Sequence, residues 1–287
     1  MTTAYDPANQ YEIKVSDVEF RRDPARTLMA RIYQPQGDGP FPALLDLHGG
    51  AWNNQDRTSN ARMDERLAAS GILVVAIDLR LAPESPYPAS IQDANYGVRW
   101  LKAKAREWKG DPATVGALGS SSGGHVVELC AMRPHDPRYN ALPLPEAPHL
   151  DATVTYVATR SPVSDPFARY QQAEKMKRDE MMQNSKVYFN PWETIHEGNP
   201  QMMLDRGESV SLPPLLIMQG ELDDNVLPAI QEKFAASYRG AGGECQLEVF
   251  AGCEHMWVKD PGPQTDRAIE MVEAFIARQL HARRLAA

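Results

Sequence analysis

The sequence predicts an α/β protein built on a doubly wound, mostly parallel sheet, and three observations lead there. ALLDLH (43–48) and GILVVAIDLR (71–80) are nearly continuous aliphatic runs, the pattern of strands covered on both faces. Helical segments alternate with such runs toward the C-terminus, as a doubly wound sheet requires. YEIKVSDVEF (11–20) and LMARIYQ (28–34) are β-prone and partly alternating on either side of the polar RRDPAR, which predicts an antiparallel pair at the front.

The remaining elements follow in order. RMDERLAAS, between the two aliphatic runs, has apolar positions at helical spacing and stops at Gly71. SIQDANYGVRWLKAKAREW (90–108) reads as an amphipathic helix, TVGALG (114–119) as a short strand, GGHVVELCAM (123–132) as a helix and ATVTYVATR (152–160) as a strand. PLLIMQG (214–220), a helix over 228–239, QLEVF (246–250) and a helix near 265–282 complete the series. The proline-rich 133–150 is a loop excursion, and 161–212 is too long for an ordinary connection. The second segment is expected to be a helical cap or lid within one domain spanning 1–287, with a helical covering of the sheet edge as the alternative.

Composition narrows the function classes. A chain of 287 residues with 43% hydrophobic content can bury one large core. The net charge of -8, with Lys and Arg scattered among acids, leaves no basic stripe for phosphates and argues against nucleic acid. No apolar run reaches the roughly 18 residues of a spanning helix, and MTTAYDPANQYEIKV is too polar for a secretion signal, so a soluble cytoplasmic protein is expected. Cys130, Cys245 and Cys253 have neither metal-ligand spacing nor a disulfide pattern and read as small, buried, reduced residues. No metal and no cofactor are expected, and homo-oligomerisation is left open.

The chemistry gathers at the ends of the predicted strands. Gly119-Ser120-Ser121-Ser122-Gly123 fits G-x-S-x-G between a strand and a helix, where a tight turn would lift the Ser121 hydroxyl above the sheet. A helix N-terminus follows, and its free amides favour developing negative charge. A plain helix cap is the competing reading of these serines. LLDLHGGAW (44–52) runs from a strand into a loop of the HGGG type, with alanine in the last position. Backbone amides alone would donate there, so Gly50, Ala51 and Ser122 are the expected oxyanion donors, with Gly49 as a substitute. Ala51 costs little provided the backbone does not require positive φ. His48 is read as structural.

Serine needs a base and an orienting acid. MQGELDDNV (218–226) places Asp223 just past a strand, with Asp224 as the competing acid, and QLEVFAGCEHMW (246–257) ends another strand in a loop bearing His255. No pair among the remaining histidines has zinc-protease spacing. Trp52, beside the glycine loop, and Trp257, beyond His255, are candidates for apolar substrate-binding walls, with core packing as the alternative. The methionines and aromatics of 161–212 suggest an adaptable apolar wall.

With LHGGAW, DLRLAPE (78–84), PASIQDANYGVRWL ahead of GDPATVGALGSSSGGH, GELDDNV and GCEHMW in this order, the sequence resembles the α/β-hydrolase superfamily. Within it, the likeness is to the bacterial esterase/lipase group similar to hormone-sensitive-lipase-like carboxylesterases, from about residue 30 onward. The resemblance implies an α/β-hydrolase fold and cofactor-free cleavage of a small-molecule ester. It assigns nucleophile, acid and base to Ser121, Asp223 and His255. Leu79 stands where the family pattern has tyrosine, away from these residues. An arylformamidase-like amidohydrolase is the alternative, although those enzymes usually carry a bulky aromatic where Ala51 stands. A non-catalytic binding protein of the same fold would typically lack the histidine.

Overall fold

The computed structural model of the chain describes residues 5–23 and 26–286. The middle of the RRDPAR turn, Pro24 and Ala25, and the first four residues of the polar N-terminal stretch lie outside the described residues. Strands β1 (Ile13–Arg22) and β2 (Thr27–Pro35) form the antiparallel opening. β3 (Phe41–Leu47), β4 (Leu73–Ile77), β5 (Gly110–Ser120), β6 (Val157–Arg160), β7 (Leu215–Gly220) and β8 (Cys245–Phe250) follow. They make one eight-stranded sheet in the order β1-β2-β4-β3-β5-β6-β7-β8. From β4 to β8 every neighbouring pair is parallel.

Helices α1 (Ala61–Ala69), α2 (Ala89–Lys104) and α3 (Ser122–Met132) come first, and α4 (Pro166–Lys175), α5 (Asp179–Tyr188), α6 (Thr194–Glu197) and α7 (Pro200–Asp205) lie between β6 and β7. α8 (Pro228–Gly240) and α9 (Pro263–Ala286) complete the chain. Alternation along the buried strands sorts the core in two. Leu45, Leu47, Val75 and Ile77 face the α2, α3 and α8 side, while Leu44, Val74, Ala76 and Leu118 face α1 and α9. Every position of β3, β4 and β7 is buried, which is why those strands read as unbroken aliphatic runs.

One strand is shorter than its sequence suggests. Within ATVTYVATR the strand covers Val157–Arg160, the Thr155 amide still reaches Val115 O at 2.9 Å, and ahead of it Asp151 Oδ1 takes the Thr153 amide at 3.1 Å and its hydroxyl at 2.6 Å in a local turn. Two caps shape the 161–212 segment. Asp165 accepts from the Ala168 amide and Asn199 from the Met202 amide, both at 3.0 Å, each with proline at the first helical position. Asn199 Nδ2 also donates to Asp165 Oδ1 at 2.9 Å, so the two helix starts are tied together in the interior. No described helix is long and apolar enough to cross a membrane.

Candidate active site

β5 delivers Ser121 into a sharp turn ahead of α3, with φ 52 and ψ -118, a conformation few non-glycine residues adopt. Its neighbours must be small. A Cβ on Gly119 would stand 2.5 Å from Gly123 O, and one on Gly123 would stand 2.3 Å from the carbonyl oxygens of Leu47 and His48. The Ser121 amide donates to Arg160 O at 2.9 Å, which anchors the turn to the end of β6.

Two later strand ends bring Asp223 and His255 to this turn. β7 closes at Gly220, where a Cβ would lie 2.5 Å from Cys253 O, so the loops after β7 and β8 pack backbone to backbone. Asp223 Oδ1 accepts the amides of Asn225 and Val226 at 3.0 and 2.8 Å. Its Oδ2 receives Gln219 Nε2 at 3.1 Å and lies 2.8 Å from His255 Nδ1. On the opposite side of the ring, His255 Nε2 lies 2.9 Å from Ser121 Oγ. Burial pushes the Asp223 carboxyl up, but the hydrogen bonds from His255 and the Val226 amide outweigh it and hold the group below its ordinary range. An ionised carboxylate only accepts, so Nδ1 carries the proton and Nε2 is free to accept from the serine hydroxyl. Asp224 turns away and pairs with Arg178.

The glycine loop lies against the start of α3. Gly50, Ala51 and Trp52 have φ of 95, 50 and 63, so the provision under which alanine was expected to cost little is not met. A left-handed alanine costs about 1–2 kcal/mol. The conformation is imposed from outside: the amides of Asn53 and Asn54 both close on Gly50 O, at 3.0 and 3.1 Å, and the Trp52 amide donates to Ser122 Oγ at 3.2 Å. Among the described residues no protein acceptor takes the amides of Gly50 or Ala51, and Ser122, as the first residue of α3, has no intrahelical partner for its own.

The Ser121 hydroxyl opens into a cleft of about 250 Å³ whose lining includes Ala51, Asn54, Arg160, Arg169, Asn184 and Asn225. Neither predicted tryptophan is among the lining residues. Trp52 is buried, stacked on Tyr188 at 4.7 Å between ring centroids, with its indole N–H donated to His125 Nδ1 at 3.1 Å. Trp257 stacks on Phe250 at 4.4 Å and packs with the α9-side core. The expected apolar wall is corrected likewise: Tyr188, Phe189 and Met203 are buried, and the 161–212 segment offers the cleft Arg169, Glu180, Met181 and Asn184. Arg160 and Arg169 line the cleft without belonging to any of the sequence motifs. A charged residue ending the apolar run ATVTYVATR was the available signal, since side chains at the C-terminal ends of parallel strands line ligand crevices.

His48 is buried with Nδ1 2.8 Å from Gly49 O, and burial lowers its pKa, so it is a neutral structural residue. All three cysteines are free and buried, and burial pushes the Cys130 thiol up to about 12.

A mostly parallel sheet with its helices on both faces and a strained serine where β5 meets α3 defines the α/β-hydrolase class. Residues 44–259 match a family model described as alpha/beta hydrolase fold, and the chain belongs to that family. It is similar to the probable carboxylic ester hydrolase LipM of Mycobacterium tuberculosis, 29% identical over 200 residues that cover 68% of this chain and 44% of LipM. Carboxylic ester hydrolase LipN of the same organism is 34% identical over 142 residues, 48% of this chain and 38% of LipN. The chain thus matches less than half the length of these curated relatives. Among solved structures, a Pyrobaculum calidifontis esterase superposes with a TM-score of 0.77 at 21% identity, covering 96% of this chain and 88% of that one. EstE1, a carboxylesterase cloned from a metagenomic library, gives 0.77 at 23% over 94% and 91%. At these identities the structural likeness speaks for the fold.

Proposed function

We propose that the chain is a serine hydrolase that cleaves carboxylic esters of small to medium size through an acyl-enzyme. The observation that carries this reading is the His255 ring, 2.9 Å from Ser121 Oγ through one nitrogen and 2.8 Å from Asp223 Oδ2 through the other. In this mechanism Ser121 Oγ attacks the ester carbonyl while His255 Nε2 takes its proton, and Asp223 stabilises the imidazolium. The carbonyl π electrons move onto oxygen, and the amides of Gly50, Ala51 and Ser122 are the donors we assign to that oxyanion. Collapse expels the alcohol, which takes the proton from His255. Water then repeats the sequence on the acyl-enzyme and releases the acid.

The names of the relatives favour ester hydrolysis over the formamide and non-catalytic alternatives. The helices between β6 and β7 serve in this reading as a cap that supplies one wall of the cleft, within a single domain. The working compartment we read is the cytoplasm, supported by three buried cysteines that form no disulfide. Replacing Ser121 with alanine tests the core of the reading: hydrolysis of p-nitrophenyl acetate and labelling by a fluorophosphonate should both disappear while the circular dichroism spectrum is kept. Retained turnover would refute Ser121 as the nucleophile.

A further inference from the structure

Two arginines in the serine cleft have no acidic partner. Arg160 and Arg169 are 5% and 3% exposed and both line the cleft that holds Ser121, and Arg160 also borders a second cavity beside Asn60, Met63 and Val258. Among the described residues neither guanidinium is within ion-pair distance of a carboxylate. Arg169 gives Nε and Nη2 to the neutral Asn225 Oδ1, at 3.0 and 2.8 Å, and rests 5.9 Å from the centre of the Trp52 ring. No protein acceptor among the described residues takes its Nη1, and none takes the side chain of Arg160.

The carboxylates whose charge reaches them are already engaged. Asp223 is coordinated through both oxygens by His255, Gln219 and the amides of Asn225 and Val226, and Asp46 by Asn60. Burial pushes the Asp46 carboxyl up to about 7, which weakens it further as a counter-charge. Burial also lowers both arginines to about 10, low for a guanidinium yet still charged at neutral pH. A buried cation without a partner is costly, and sites keep one where a ligand supplies the missing anion. Glu180, the acidic residue of the lining, is exposed at the rim.

Resting on the hydrolase reading above, we infer that the cleft selects esters that also carry a carboxylate, held by the guanidinium of Arg169 while Ser121 attacks the ester, with Arg160 adding its positive charge to the lining of the same cleft. Two chemical sources fit: the monoester of a short dicarboxylic acid, or the ester of a hydroxy or phenolic acid. Arginine suits either, because its planar fork matches a carboxylate in two parallel hydrogen bonds.

The test pairs each charged substrate with its neutral amide twin. Monomethyl glutarate is compared with methyl 4-carbamoylbutanoate, and 4-acetoxybenzoate with 4-acetoxybenzamide, by kcat/KM. The wild type should favour the charged member of one pair by about tenfold or more, and that pair names the source. In R169Q and R160Q the ratio should fall toward one, chiefly through KM, with R169K keeping part of it. Equal rates within both wild-type pairs, or a ratio that neither variant moves, overturns the inference. Calorimetry decides it without turnover: glutarate or benzoate should bind the wild type and lose affinity in R169Q, and binding of neither acid overturns it. Failure of the hydrolase reading looks different, since then neither neutral nor charged esters are cleaved.

Discussion

The indole N–H of Trp52 donates to Nδ1 of His125 across 73 residues of sequence. Because an indole only donates, Nδ1 must accept, and the proton of this buried histidine sits on Nε2, 2.7 Å from Gly198 O. Burial lowers His125 to about 4, so the ring stays neutral at ordinary pH. One side chain thereby joins the glycine loop, the helix behind Ser121 and the segment between β6 and β7. Trp52→Phe keeps the stack on Tyr188 but leaves Nδ1 without a donor, and should cost about 1–3 kcal/mol, read as a lower urea midpoint at unchanged m. An unmoved midpoint would show that the bond contributes nothing.

Asp223 and Asp224 separate cleanly. Asp223→Asn should lower kcat on p-nitrophenyl acetate by about 10³–10⁴-fold, because the amide no longer fixes the ring tautomer His255 needs. Asp224→Asn removes a partner of Arg178 on the surface and should change kcat by less than about twofold. Comparable losses in both would break the assignment of the acid.

How much of this was legible beforehand follows a physical line. The strands showed because covering on both faces leaves an unbroken aliphatic signature, and Ser121, Asp223 and His255 showed because each follows a strand in a short, chemically distinct loop. Directions set by distant partners did not show. Trp52 sits beside the glycines in sequence, yet its ring is claimed by Tyr188 and His125. Arg169 belongs to the 161–212 segment and to no motif, and only the fold brings Asn225 and Trp52 against it. The left-handed backbone of Ala51 lies between Gly50, whose carbonyl closes a local turn with Asn53 and Asn54, and Trp52, whose amide is held by Ser122 Oγ 70 residues further on, a partner no local pattern encodes.

The glycine loop yields a pair of opposed substitutions. A Cβ on Gly50 would sit 2.2 Å from Asn54 O in a residue already at φ 95, so Gly50→Ala should displace the loop and lower kcat about 10²-fold. Ala51→Gly relieves a left-handed alanine and should raise stability by about 1 kcal/mol, a shift of a few degrees in Tm. A Tm that falls would mean the methyl contributes packing that exceeds the strain.

Glu128 governs part of the pH dependence of stability. It is buried, burial pushes its carboxyl up to about 8, and Ser164 Oγ lies 3.1 Å from one oxygen and 2.9 Å from Gln231 Oε1. A single hydroxyl proton cannot serve both acceptors, whereas a protonated Glu128 donates to Ser164, which donates to Gln231. Between the ordinary glutamate range and pH 8 the unfolded chain releases this proton and the folded one keeps it, so stability falls as pH rises through that window. Glu128→Gln can still donate to Ser164. It should match the wild type near pH 5 and exceed it at pH 8 by on the order of 4 kcal/mol, measured by urea denaturation at both values. Parallel curves for the two proteins would contradict the protonated state.

β8 ends the sheet and pairs only with β7 among the described residues, and the loop that leaves it carries His255. The imidazole therefore hangs from the margin of the structure that has half the ladder support of its centre. Fraying there withdraws the ring from Ser121 while the aliphatic interior between β4 and β7 still stands. Warming should silence the cleft at a temperature where far-ultraviolet ellipticity has barely moved, so functional lifetime is set by one edge rather than by the melting of the whole.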